Sequence, residues 1–112
     1  MRIIAGLYRG RKLKEFKGND VRPTSDRARE ALFNILGNIS GDSFLDLYCG
    51  TGAVGLEAAS RDAENVTLVD LAKESVTLSR DNAKSLDANV RILNSDALSF
   101  VARLKEIYDY IF

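Results

Sequence analysis

Residues 45–59 read LDLYCGTGAVGLEAA, and the glycines Gly50, Gly52 and Gly55 spell G-x-G-x-x-G directly after an apolar run. In that setting the first two glycines let the backbone turn tightly and come close to a ligand. The third lets a following helix pack closely on a strand. The spacing is that of a loop cradling an adenosine-containing cofactor, or of a tight strand-to-helix turn that holds nothing. Nicotinamide, flavin and S-adenosylmethionine enzymes all use it, so the choice falls to the rest of the chain.

Working outward, SFLDLY (43–48) reads as a strand buried on both faces and 53–61 as a helix. Then come a strand at NVTLVD (65–70) and a longer helix over 72–86 that turns Val76, Ala83 and Leu86 inward. A strand at NVRILN (89–94), a short helix over 97–106 and a strand beginning in YDYIF (108–112) complete the series. Strand alternating with helix on short connections predicts an α/β fold with a parallel sheet covered by helices on both faces. Right-handed crossovers give the spatial order 3-2-1-4, with the switch point between strands one and four. A ligand belongs outside the carboxyl ends of the strands at that crevice, which is where the glycine loop falls.

Three carboxylates bear on the cofactor. Asp70 closes the second strand, 20 residues after Gly50, where an acceptor binds both ribose hydroxyls of an adenosine; alone, it is an ordinary strand-end acid. Asp46 sits inside the first strand, just before the glycines. A carboxylate there is electrostatically wrong for a pyrophosphate and right for a ligand with cationic groups. S-adenosylmethionine carries an ammonium and a sulfonium and no phosphate, so Asp46 favours it. The alternatives are a buried acid satisfied by loop amides, or one that orients the ammonium indirectly through those amides or water. Asp96, at the end of the third strand, is placed to accept from the adenine amino group. Tyr48, Leu71 and Ala97 flank these positions and complete the predicted cofactor-binding set.

The 112 residues suit one domain, 46% hydrophobic and 29% charged. No apolar run approaches the roughly 20 residues that span a bilayer, and the N-terminus lacks the apolar core of a signal peptide. The absence of histidine excludes a His-dependent triad. The single cysteine, Cys49, excludes an internal disulfide framework and fits a reducing compartment. A cytoplasmic protein with no metal site and no membrane partner is expected.

The net charge of zero conceals a split. Residues 1–36 carry nine Lys/Arg against four Asp/Glu, and residues 37–112 seven against twelve. A basic arm over 1–23, read as a β-strand or hairpin around Gly6 and Gly10, suits a polyanionic partner or is a solvated charged hairpin. Pro23 holds Arg22 extended. A helix follows, capped by Thr24 or Ser25, with Asp26 in its first turn and Gly37 ending it. Its expected apolar stripe is Ala28, Ala31, Leu32, Ile35 and Leu36.

Taken together, MRIIAGLYRGRKLK, RPTSDRAREALFNIL and FLDLYCGTGAVGLEAASR resemble the RsmD family, the bacterial 16S rRNA guanine-N2 methyltransferases. The resemblance runs over the whole chain, and its second segment is far more specific than any glycine loop. It implies a Rossmann-like class I methyltransferase sheet over 24–112, incomplete after strand four, that binds S-adenosylmethionine. Asp46, Gly50 and Gly52 fall on the family's first cofactor motif, Asp70 on its ribose-binding acid, and Asp96 with Ala97 on its adenine-contacting motif. Thr24 falls on the segment that closes over the methionine end of the cofactor. The family's N-terminal hairpin engages ribosomal RNA, which assigns Arg9, Arg11, Lys12, Lys14, Lys17 and Arg22 to RNA binding and implies 16S rRNA or the small subunit as partner.

The family's catalytic signature, Asn/Asp-Pro-Pro-Tyr after strand four, is absent from this sequence, whose one proline is Pro23. No residue is therefore assigned a catalytic role, and Tyr108 and Tyr110 read as strand residues. The expectation is a truncated chain that carries the cofactor half of the enzyme, is inactive alone, binds cofactor weakly and self-associates through its strand-four edge. Two other readings stay open: a nicotinamide- or flavin-binding module, and a non-enzymatic RNA-binding fragment with a vestigial pocket.

Overall fold

The computed structural model describes residues 1–17 and 25–112, so Arg22, Pro23 and Thr24 lie outside the described residues. The elements run α1 (Asp26–Leu36), β1 (Ser43–Asp46), α2 (Ala53–Ser60), β2 (Asn65–Asp70), α3 (Lys73–Leu86), β3 (Arg91–Asn94), α4 (Ala97–Ala102) and β4 (Tyr110–Ile111). The strands form one sheet of order β3-β2-β1-β4 in which every pairing is parallel. This is the predicted order. In register, Asp46 of β1 lies beside Leu68 of β2, and Asp70 at the end of β2 beside Asn94 of β3.

Central parallel strands are covered on both faces, and Val66, Thr67, Leu68 and Val69 are all buried. Helix α2 is buried along nearly its whole length. It lies between the sheet and the N-terminal arm, whose Ile3 and Leu13 join Ala53 and Leu56 in one apolar cluster. Gly55 makes the sheet contact possible: a Cβ there would sit 2.6 Å from Leu68 Cδ1. On α3 the predicted Val76, Ala83 and Leu86 are buried, and Ser75, Ser79 and Asn82 are buried with them.

The arm answers its expectation, and the buried face of α1 corrects one. The arm is a short hairpin: Arg2 and Lys12 form an antiparallel bridge, and the amides of Ile3, Gly10 and Leu13 donate to the carbonyls of Arg11, Ile3 and Met1. Between the paired limbs, the amides of Ile4, Ala5, Leu7 and Tyr8 are turned toward α2, where Glu57 and Ser60 accept them. In α1, Ser25 is the cap, accepting from the Ala28 amide, and Asp26 lies in the first turn, as expected. The buried face, however, is Arg29 and Phe33, with Leu32 and Leu36 half-buried; Ala28, Ala31 and Ile35 are exposed. Arg29 is drawn inward by Glu57, and Phe33 stacks on Phe44 with ring centroids 5.8 Å apart. These two partners set the rotation of the helix. Tyr108 precedes β4 and is a core residue, its hydroxyl 2.8 Å from that of Thr67.

Candidate cofactor site at the carboxyl ends of the strands

The loop after β1 is shaped by two glycines in left-handed conformations, Gly50 at φ +54° and Gly52 at φ +86°. The Gly52 amide closes the turn on the Cys49 carbonyl at 2.7 Å, and Gly52 then begins α2 without a side-chain cap. Residues with a Cβ are strained at such angles, which is the conformational reason for glycine at both positions. Gly55 makes no turn; it supplies the close helix-to-strand approach described above.

Asp70 reaches across from the end of β2. One carboxylate oxygen accepts the Gly50 amide at 3.0 Å and the other accepts the Ala72 amide at 2.9 Å. The acid thus holds the loop, and each oxygen keeps a second lone pair for a ligand hydroxyl. Asn94 at the end of β3 donates to the carbonyls of Asp70 and Leu71 at 3.0 and 2.8 Å, fixing the turn that presents the exposed Leu71. Asp96 caps α4, accepting the Ser99 amide at 2.9 Å, and stands exposed beside the buried Ala97. Tyr48, directly after β1, is 74% exposed and Leu71 is 68% exposed. Large apolar side chains left open at one crevice are surface that a flat ligand ring would cover.

Asp46 lies beneath the loop, 1% exposed, with neither carboxylate oxygen hydrogen-bonded among the described residues. Burial pushes its carboxyl up to about 7; the nearby amides of Tyr48 and Gly55 offset this only in part, and the charge of Asp70 adds to it. Cys49 is buried beside Ser79, and burial pushes its thiol up to about 12, so it stays protonated and is no nucleophile.

The sequence-predicted residues Asp46, Tyr48, Gly50, Gly52, Gly55, Asp70, Leu71, Asp96 and Ala97 thus gather at the carboxyl ends of β1, β2 and β3. The basic residues do not join them. Arg9, Arg11, Lys12, Lys14 and Lys17 are spread over the exposed side of the arm. Arg11 donates to the Ser85 carbonyl at 2.7 Å. Lys14 and Lys17, with Glu15 and Phe16, face Glu74, Leu78 and Asp81 across a cleft of about 660 Å³.

Sequence reasoning missed three supports. Ser79 donates to the Gly50 carbonyl at 2.7 Å, and Asn82 to that of Thr51 at 2.9 Å. The third is Glu57, which accepts from Arg29 at 3.1 Å, Arg61 at 2.9 Å and the amides of Ile4 and Ala5 at 2.9 and 3.1 Å. The signal available was a polar residue on the inward stripe of each helix.

An open parallel sheet of order 3-2-1-4, a glycine loop after its central strand and acids closing the neighbouring strands define a Rossmann-like fold of the methyltransferase class. The structure superimposes on one described as putative methyltransferase yhhF from Escherichia coli with a TM-score of 0.88 at 39% identity, covering 100% of this chain and 62% of that one. The chain belongs to the RsmD family, whose model, described as conserved hypothetical protein 95, matches residues 1–112. It is 41% identical over 114 residues to ribosomal RNA small subunit methyltransferase D of Escherichia coli, covering 100% of this chain and 58% of that protein. With the protein of the same name from Haemophilus influenzae the identity is 38% over 105 residues, covering 90% and 54%. The chain therefore spans less than two thirds of the length of these relatives.

Proposed function

We propose that these residues form the S-adenosylmethionine-binding part of an rRNA methyltransferase that acts on the exocyclic amine of a guanine in 16S rRNA. The observation that carries the reading is Asp46, a buried carboxylate beneath a glycine loop whose oxygens have no hydrogen-bond partner among the described residues. A pyrophosphate in that loop would meet like charge, whereas an ammonium and a sulfonium supply the opposite charge. Asp70 receives the ribose hydroxyls, Tyr48, Leu71 and Ala97 line the adenine, and Asp96 accepts from its amino group. Thr24 belongs to the cofactor-closing segment by family resemblance alone.

S-adenosylmethionine supplies the electrophilic methyl group when bound. The chain's own residues orient it: the glycine loop fixes the methionine end, Asp70 the ribose, and the apolar side chains exclude water. In-line positioning of this kind supplies a large part of the barrier reduction in group transfer. The basic arm, with Arg9, Arg11, Lys12, Lys14, Lys17 and Arg22, contacts rRNA phosphates. The exposed outer edge of β4, with Ile111 and Phe112, supports self-association of the isolated chain.

Equilibrium dialysis with labelled S-adenosylmethionine tests the cofactor half. Saturable binding displaced by S-adenosylhomocysteine and unaffected by NAD is expected; displacement by NAD contradicts the reading. Titration with a 16S rRNA transcript tests the arm. The affinity should fall steeply with salt, and each lysine or arginine removed should lower the slope by about one.

A further inference from the structure

Asn82 of α3 is 1% exposed, and its carboxamide serves two segments far apart in sequence. Its oxygen accepts the Lys14 amide at 2.8 Å, and its nitrogen donates to the Lys14 carbonyl at 3.1 Å and to the Thr51 carbonyl at 2.9 Å. The amide nitrogen has two hydrogens, so each carbonyl receives one and both donors are used. One turn earlier on the same face, Ser79 holds the Gly50 carbonyl, and a Cβ on Gly52 would lie 3.1 Å from its Oγ. On the arm side, Phe16 approaches to 3.9 Å of where a Gly50 Cβ would be. The backbone of the arm and the backbone of the glycine loop are therefore joined through one rigid, buried amide.

We infer that Asn82 is a positioning residue that couples the basic arm to the glycine loop, so that occupancy of the loop and polyanion binding by the arm strengthen each other. The inference rests on the function proposed above. Its physical basis is that neither segment can shift without leaving a buried polar group unpaired, which is costly. A ligand that orders Thr51 orders Lys14 through the shared side chain. By linkage the effect is the same in both directions.

The test uses the intact chain. A 16S rRNA transcript is titrated with and without saturating S-adenosylhomocysteine, and the reverse titration is run with saturating RNA. The wild-type chain should show a mutual enhancement of about fivefold or more. Asn82→Ala should bring that factor to about one while both ligands still bind. Lys14→Ala removes the ammonium and leaves the backbone bonds to Asn82, so it should weaken RNA binding with the factor unchanged. In the wild-type chain alone, S-adenosylhomocysteine should slow hydrogen exchange at the Lys14 amide. Binding of both ligands without coupling, a full factor retained in Asn82→Ala, or an unaltered Lys14 exchange rate overturns this inference and leaves the function standing. Failure of the wild-type chain to bind S-adenosylhomocysteine overturns the functional reading and this inference with it.

Discussion

The carboxylate of Asp70 accepts the backbone amide of Gly50 at 3.0 Å, so the acid that closes β2 also shapes the loop after β1. Under the proposed function one residue thereby serves both the ligand and the cradle. Asp70→Ala should lower the affinity for S-adenosylhomocysteine at least tenfold and destabilise the chain by about 1–3 kcal/mol through the freed amides. Asp70→Asn, which keeps an acceptor, should recover most of the stability and less of the affinity. Calorimetric titration and thermal melts read the two effects separately.

Under the proposed function, Asp46 should make cofactor binding depend on pH. Its carboxyl titrates at about 7 in the fold, well above an ordinary aspartate. Below that value the folded chain holds the proton and lacks the charge that an ammonium seeks. Affinity for S-adenosylhomocysteine should therefore rise between pH 5.5 and 7 and level off above. In Asp46→Asn the affinity should be lower and the slope absent. Stability without ligand moves the other way. A carboxyl raised by the fold contributes fully below pH 4, and its contribution falls as pH rises from about 4 to 7. Melts across that window check the sign.

Glu57 holds the arm to the domain. It and Arg29 are both fully buried, and it also accepts two arm amides. Glu57→Ala leaves the buried Arg29 guanidinium with the half-buried Asp26 as its remaining carboxylate and should cost about 3 kcal/mol, measured by denaturant unfolding. Proteolysis of the variant should begin within residues 1–17, since the amides of Ile4 and Ala5 lose their acceptor.

The arm's two glycines should respond unequally to alanine. Both have positive φ, Gly6 at +86° and Gly10 at +81°. A Cβ at Gly6 would stand 1.9 Å from the Ser60 carbonyl oxygen, while one at Gly10 meets nothing within 4 Å. Gly10→Ala should cost only the backbone strain, about 1–2 kcal/mol. Gly6→Ala must also push the arm off α2 and should cost more, which paired melting curves will show.

The sheet order and the place of the loop were legible because they rest on local patterns: apolar runs, glycine spacing and the handedness of crossovers. The supports of the site were not. Asn82 and Ser79 read as ordinary polar residues of a helix until α3 is seen to turn them onto the loop. The α1 face was misread for a related reason. Periodicity ranks Ala31 and Ile35 above Arg29, and it is the buried carboxylate of Glu57, 28 residues away, with the Arg2 carbonyl, that brings the arginine inside. Ion pairs between distant segments leave no periodic trace. The arm's short hairpin was legible from Gly6 and Gly10, but the docking of its turn on Glu57 and Ser60 was not.

The most direct measurement of the central claim is an NMR titration of the isotopically labelled chain with S-adenosylhomocysteine and, separately, with NAD. S-adenosylhomocysteine should shift the amides of Gly50, Gly52, Leu71 and Ala97 saturably and leave those of α1 unmoved. NAD should shift none of them. Shifts of the same amides by NAD, or a response to S-adenosylhomocysteine confined to residues away from the loop, would contradict the account.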